Sequence, residues 1–79
     1  MQAYTVPKLK YHIMTLLSAL PIERRLEIKE FITRERNISH NTYSRYINLR
    51  NTDSNDIPAQ VLLDFANQLN VPIEDLFNN

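Results

Sequence analysis

Cysteine is absent from this chain, which excludes both a disulfide framework and a thiolate zinc site. Glycine is absent as well. That removes the phosphate-cradling loops and the dinucleotide fingerprint, because both bring backbone closer to a ligand than a side-chain-bearing residue allows. Histidine occurs only at His12 and His40, too sparse a set to suggest a catalytic metal. Long hydrophobic runs are missing too: the run 13–20 contains Thr15 and Ser18 and falls well short of the ~20 residues needed to cross a bilayer. Nothing ahead of it resembles a secretory signal with a cleavage site, so the expected compartment is the cytoplasm. Ser18, Ser39, Ser44 and Ser54 have no histidine–acid partnership in their sequence context, and a small bundle offers little room for a water-excluding pocket. The chain is therefore expected to be neither an enzyme nor a cofactor carrier.

What remains is a 79-residue chain, read as one domain spanning 1–79. A domain this small buries only about 60% of its unfolded surface. Without a disulfide or metal, compact helix packing has to supply its stability. The formal net charge is zero, yet the charge is segregated. All nine bases fall in residues 1–50 with four acids, giving +5, and the remainder holds five acids and no base, giving −5. Such asymmetry hints at a polyanion-facing surface. The plainer explanation is that acids and bases interleave on one solvated helix.

Apolar residues recur at helical spacing. Leu9, Ile13, Leu16, Leu17 and Leu20 form one stripe, predicting a first helix over 9–20 with Pro7 ahead of it. Pro21 interrupts, and Glu23 follows where a carboxylate favours a helix start. The segment 22–36 is rich in helix formers and has no breaker. Ile28, Phe31 and Ile32 share one face of it, whereas Ile22 and Leu26 lie nearly opposite, predicting either a helix sandwiched between two neighbours or a bend near Leu26. Asn37 is the predicted stop, asparagine being the residue after glycine best suited to the left-handed conformation. Ser39 can then cap a helix over 40–48. On that helix His40, Asn41, Ser44, Arg45 and Asn48 share one polar arc free of carboxylates, and Tyr43, Tyr46 and Ile47 point toward a core. The inward phase of the two tyrosines makes them core rings rather than a stacking platform for single strands. A polar loop over 49–56 leads to a helix begun by Pro58 and ended by Asn70. Pro72 opens a last short helix carrying Ile73 and Leu76.

Several stretches together resemble the lambda-repressor/Cro-like (XRE-type) helix-turn-helix family. They are Ile38-Ser39, Thr42-Tyr43-Ser44-Arg45, Ile57-Pro58, Leu62-Leu63, Phe65-Ala66, Leu69-Asn70-Val71 and Ile73-Glu74-Asp75-Leu76-Phe77, covering roughly 26–77. The resemblance implies an all-α, compact five-helix bundle whose third helix enters the major groove of double-stranded DNA. Matched position by position, Ser39, His40, Asn41 and Arg45 fall where the family contacts bases or nearby phosphates, and Arg50 falls on a backbone-contacting basic position. Thr33 and Asn37 stand near the family's small helix residue and its turn glycine. Ile47 replaces a glutamate that pairs with a first-helix arginine; the first helix here has no arginine, so an apolar contact is expected in place of that ion pair.

The predicted base readers are His40, Asn41, Ser44 and Arg45, with Arg45 suited to guanine O6/N7 and Asn41 to adenine N6/N7. Predicted phosphate contacts are Lys29, Ser39, Asn48 and Arg50, with Arg34 and Arg36 as further candidates. For Arg34 and Arg36 the plain reading is a solvated helix end whose cations suit the dipole. The expected function is sequence-specific DNA binding by a small transcriptional regulator, as a homodimer on a pseudo-palindrome. The alternative is a protein-interaction module or antitoxin-like protein whose acidic C-terminal half grips a basic partner. Membrane association is not expected, because the stripe over 9–20 is needed for the core.

Overall fold

The computed structural model describes residues 9–77. Its elements are α1 (Ile13–Ser18), α2 (Ile22–Glu35), α3 (His40–Ile47), α4 (Ala59–Leu69) and a 3-10 helix (Ile73–Leu76). No strand occurs among the described residues, where β pairing is limited to isolated antiparallel bridges joining Leu9 to Arg50 and Tyr11 to Phe77. No helix among them is long and apolar enough to cross a membrane.

Proline and asparagine punctuate this chain where glycine would otherwise serve. Pro21, Pro58 and Pro72 stand in extended conformation immediately before α2, α4 and the 3-10 helix. Asn37 and Asn70 take positive φ of 51° and 58°. After α2, the Ile38 N–H donates to the Thr33 carbonyl at 3.1 Å and the Asn37 N–H to Arg34 at 3.4 Å. After α4, Val71 donates to Ala66 at 3.0 Å and Asn70 to Asn67 at 3.2 Å. Both ends thus form the paired 6→1 and 5→2 bonds of a Schellman stop. The left-handed conformation costs an ordinary L-residue about 1–2 kcal/mol, which asparagine eases.

The core is built around α4. Phe65, Ile13, Ile28, Ile32 and Leu76 are fully buried, and α4 packs against α1, α2 and the 3-10 helix. Burying a side chain such as Phe65 stabilises the fold by about 1.5–3 kcal/mol. Asp64 is the buried charged residue of this core. It accepts from Arg36 Nε and, at 3.0 Å, from Nη2, which ties the end of α2 to α4.

Two expectations are corrected. The first helix does not fill 9–20; α1 is limited to Ile13–Ser18. Residues 9–12 stay outside the helix because their amides bind elsewhere: Lys10 N–H donates to the Leu49 carbonyl and His12 N–H to the Leu76 carbonyl, each at 2.7 Å. In this form Tyr11 is buried and its hydroxyl donates to Asp56 Oδ1 at 2.6 Å. Tertiary contacts override the helical stripe. The second correction concerns α2, which is neither sandwiched nor in need of a bend: Ile22 and Leu26 remain 61% and 54% exposed. Pro7 lies outside the described residues.

Candidate nucleic-acid interface

The eight-residue helix α3 has a defined start. Ser39 sits in extended conformation and its Oγ accepts the Thr42 N–H at 3.0 Å, while the same hydroxyl donates to Thr42 Oγ1 at 3.0 Å. Such a cap contributes about 0.5–2 kcal/mol to helix stability. The other end closes through Asn48, whose Nδ2 donates to the Ser44 carbonyl at 2.9 Å.

One face of α3 is held by the core. Tyr43 is buried and its ring lies 5.5 Å from that of Phe65. Burial raises its phenol pKa to about 12. Ile38, Tyr46 and Ile47 pack against the same cluster, partly buried. Ile47 lines a groove together with Met14 and Leu17 of α1.

The opposite face is open. His40, Asn41, Ser44, Arg45 and Asn48 are all exposed. Among the described residues Arg45 forms no ion pair, although it lines a shallow cavity with Tyr46, Asn55 and Asp56. Asp56 has other donors: it accepts from the Tyr11 hydroxyl, from Lys10 Nζ at 3.0 Å and from the Ile57 N–H at 2.7 Å. The Tyr11 bond, helped by Lys10 and Ile57, holds this carboxyl below its ordinary value despite some desolvation. Arg45 is therefore left to solvent.

The proposed phosphate contacts are less uniform. Arg50 is exposed just beyond α3, and its backbone N–H donates to Asp53 Oδ2 at 2.8 Å. Ser39 uses its hydroxyl as the cap and Asn48 uses an amide proton to close the helix, so both offer less than free side chains. Lys29 is half-buried on α2, lining a groove with Tyr43 and Ser44. Arg34 lies exposed beside Glu35. Arg36 forms a bidentate pair with Asp64 that uses two of its five N–H donors and neutralises its charge, so it is a weaker phosphate candidate than a free guanidinium.

The sequence reading missed two clusters. Asp64 falls on the inward phase of α4, three residues after Val61 and next to Phe65, so periodicity alone marks it as a buried acid seeking a cation. The Tyr11–Lys10–Asp56 cluster joins residues 45 or 46 positions apart, and no local pattern announces it. Comparison with family models, with curated proteins and with solved structures finds no match to this chain.

Proposed function

We propose that this protein binds double-stranded DNA sequence-specifically as a small transcriptional regulator of the lambda-repressor/Cro-like helix-turn-helix type. In this reading the four α-helices and the 3-10 helix correspond to the family's five-helix bundle. α2, the turn 36–39 and α3 form the helix-turn-helix, and α3 enters the major groove. The observation that carries it is the capped, core-anchored α3 whose entire outer row (His40, Asn41, Ser44, Arg45, Asn48) is solvent-exposed and free of carboxylates. His40, Asn41, Ser44 and Arg45 read base edges, whereas Lys29, Ser39, Asn48 and Arg50 hold phosphates. A homodimer would set two such helices about 34 Å apart on a pseudo-palindrome. The work is that of a cytoplasmic binding protein without catalysis or cofactor.

The test is selection from random duplex at low salt, then titration of the selected duplex at several salt concentrations with wild type and Arg45→Ala. The expected result is an enriched motif and, for Arg45→Ala, loss of about 1–3 kcal/mol of discrimination at one base position. Failure to enrich any motif overturns the reading. A uniform loss of affinity with a flatter salt slope would reassign Arg45 to the backbone.

A second reading, a protein-interaction module of antitoxin-like type, draws on Glu74 and Asp75, which are exposed and form no ion pair among the described residues. It predicts a stable complex with a basic partner that Glu74→Lys/Asp75→Lys abolishes. Co-purification from the native host checks it, and the absence of a stoichiometric partner removes it.

A further inference from the structure

We propose that the groove between α1, α2 and α3 receives the acidic corner around Phe77 of a second copy of this chain, so that copies associate head to tail. This contact goes beyond duplex binding and does not require it, although the groove shares Lys29 and Ser44 with the residues proposed to face DNA.

The groove has a volume of about 270 Å³. Met14, Ile22, Leu26 and Ile47 line it, with Arg25 and Lys29 among its walls and no carboxylate. Ile22 and Leu26, one helical turn apart, are the two most exposed large apolar residues of the described chain. Adjacent exposed apolar side chains of this size mark an interaction surface more often than scattered ones do. Neither cation is neutralised: Arg25 donates Nε to the Leu20 carbonyl, and Lys29 forms no ion pair among the described residues.

The same chain carries the complement. Phe77 is 42% exposed, and it lines a shallow cavity together with Glu74 and Asp75. Its ring leans on Tyr11 at 5.6 Å, which fixes its direction. An apolar ring flanked by two carboxylates matches an apolar groove flanked by two cations.

Geometry and charge favour head-to-tail over two-fold pairing through this groove, and leave a two-fold dimer on DNA to another surface. α1 gives Met14, Leu17 and Ser18 to the groove but Thr15 and Leu16 to the acidic corner, so the surfaces lie on different sides of that helix. One molecule can offer its corner to one neighbour and its groove to another. A groove-to-groove dimer would instead set Arg25 and Lys29 against their own copies, and like charges across an interface are costly. Zero net charge removes overall repulsion between copies. A heterologous contact of this kind propagates into rings or open chains.

The experiment is sedimentation velocity of the protein alone across micromolar to millimolar concentration, without DNA. Wild type is expected to gain mass with concentration. Leu26→Glu, which spoils the groove, and Glu74→Lys/Asp75→Lys, which spoils the corner, should each remain single chains; all three positions are exposed, and circular dichroism verifies that both variants fold. Mixing the two variants should give a species of twice the chain mass and nothing larger, because one intact groove meets one intact corner. A wild type that stays a single chain throughout overturns the proposal and leaves the groove to a foreign acidic partner. Association that survives Leu26→Glu, or a mixture that fails to pair, also overturns it. Because the measurement is made without DNA, none of these outcomes decides whether a single chain binds a duplex, which the random-duplex selection tests separately.

Discussion

Tyr43 holds the exposed helix to the core through one ring. Its stacking on Phe65 means that truncation removes both burial and a ring contact. Tyr43→Ala is expected to cost about 3–5 kcal/mol, read from urea unfolding. Tyr43→Phe keeps the ring and should fold normally at neutral pH, differing only in alkali. Tyr11 and Tyr43 both have phenol pKa values raised from 10.0 to about 12, chiefly by burial. A phenol whose folded value lies above its unfolded value contributes fully below pH 10, and that contribution is lost as pH climbs toward about 12. The thermal midpoint should therefore fall over that window, and Tyr43→Phe should shallow the fall. Asp56 behaves oppositely. Its carboxyl lies below the ordinary value of 3.8, so its contribution is present above that pH and is lost as pH drops through the folded value. Asp56→Asn should flatten the acid limb of the midpoint profile; an unchanged limb would show that the Tyr11–Asp56 hydrogen bond contributes nothing.

Helix ends are the most tightly specified elements of the chain. Ser39→Ala should cost about 0.5–2 kcal/mol by freeing the Thr42 amide of its cap. Asn37→Ala and Asn70→Ala should each cost about 1 kcal/mol because alanine resists the left-handed conformation. Glycine at the same two positions should be tolerated, and equilibrium denaturation of the four asparagine variants would separate the two classes. These ends were also the most legible in sequence, since a cap or stop depends on residues within a turn of itself. Ser39, Asn37, Asn70 and the inward phase of Tyr43 all follow from local pattern. The start of α1 did not, because the amides of Lys10 and His12 find carbonyls at Leu49 and Leu76, far along the chain. The exposure of Leu26 was equally hidden: helical phase shows that a residue faces away from the core, not whether another element covers it. On the outer face of α3 the open row of side chains was readable, but the pairing of Arg36 with Asp64 needed the packing of α2 on α4.

At the scale of the whole molecule, the non-helical segment 9–12 acts as a clasp. Its two amide bonds reach the end of α3 and the 3-10 helix, connecting parts that lie far apart in sequence. Hydrogen exchange should protect the Lys10 and His12 amides about as strongly as those of α4, because freeing them requires the core to open. Exchange of these two amides at the rate of a frayed end would show the clasp to be independent of the core. The same molecule dispenses with glycine altogether, stopping two helices on asparagine. The denatured ensemble consequently lacks its most permissive links. Each peptide unit starts from a narrower range of dihedrals, so less backbone freedom is surrendered at collapse. Part of this small protein's resistance to melting thus originates in the stiffness of the disordered polymer rather than in any contact of the native one.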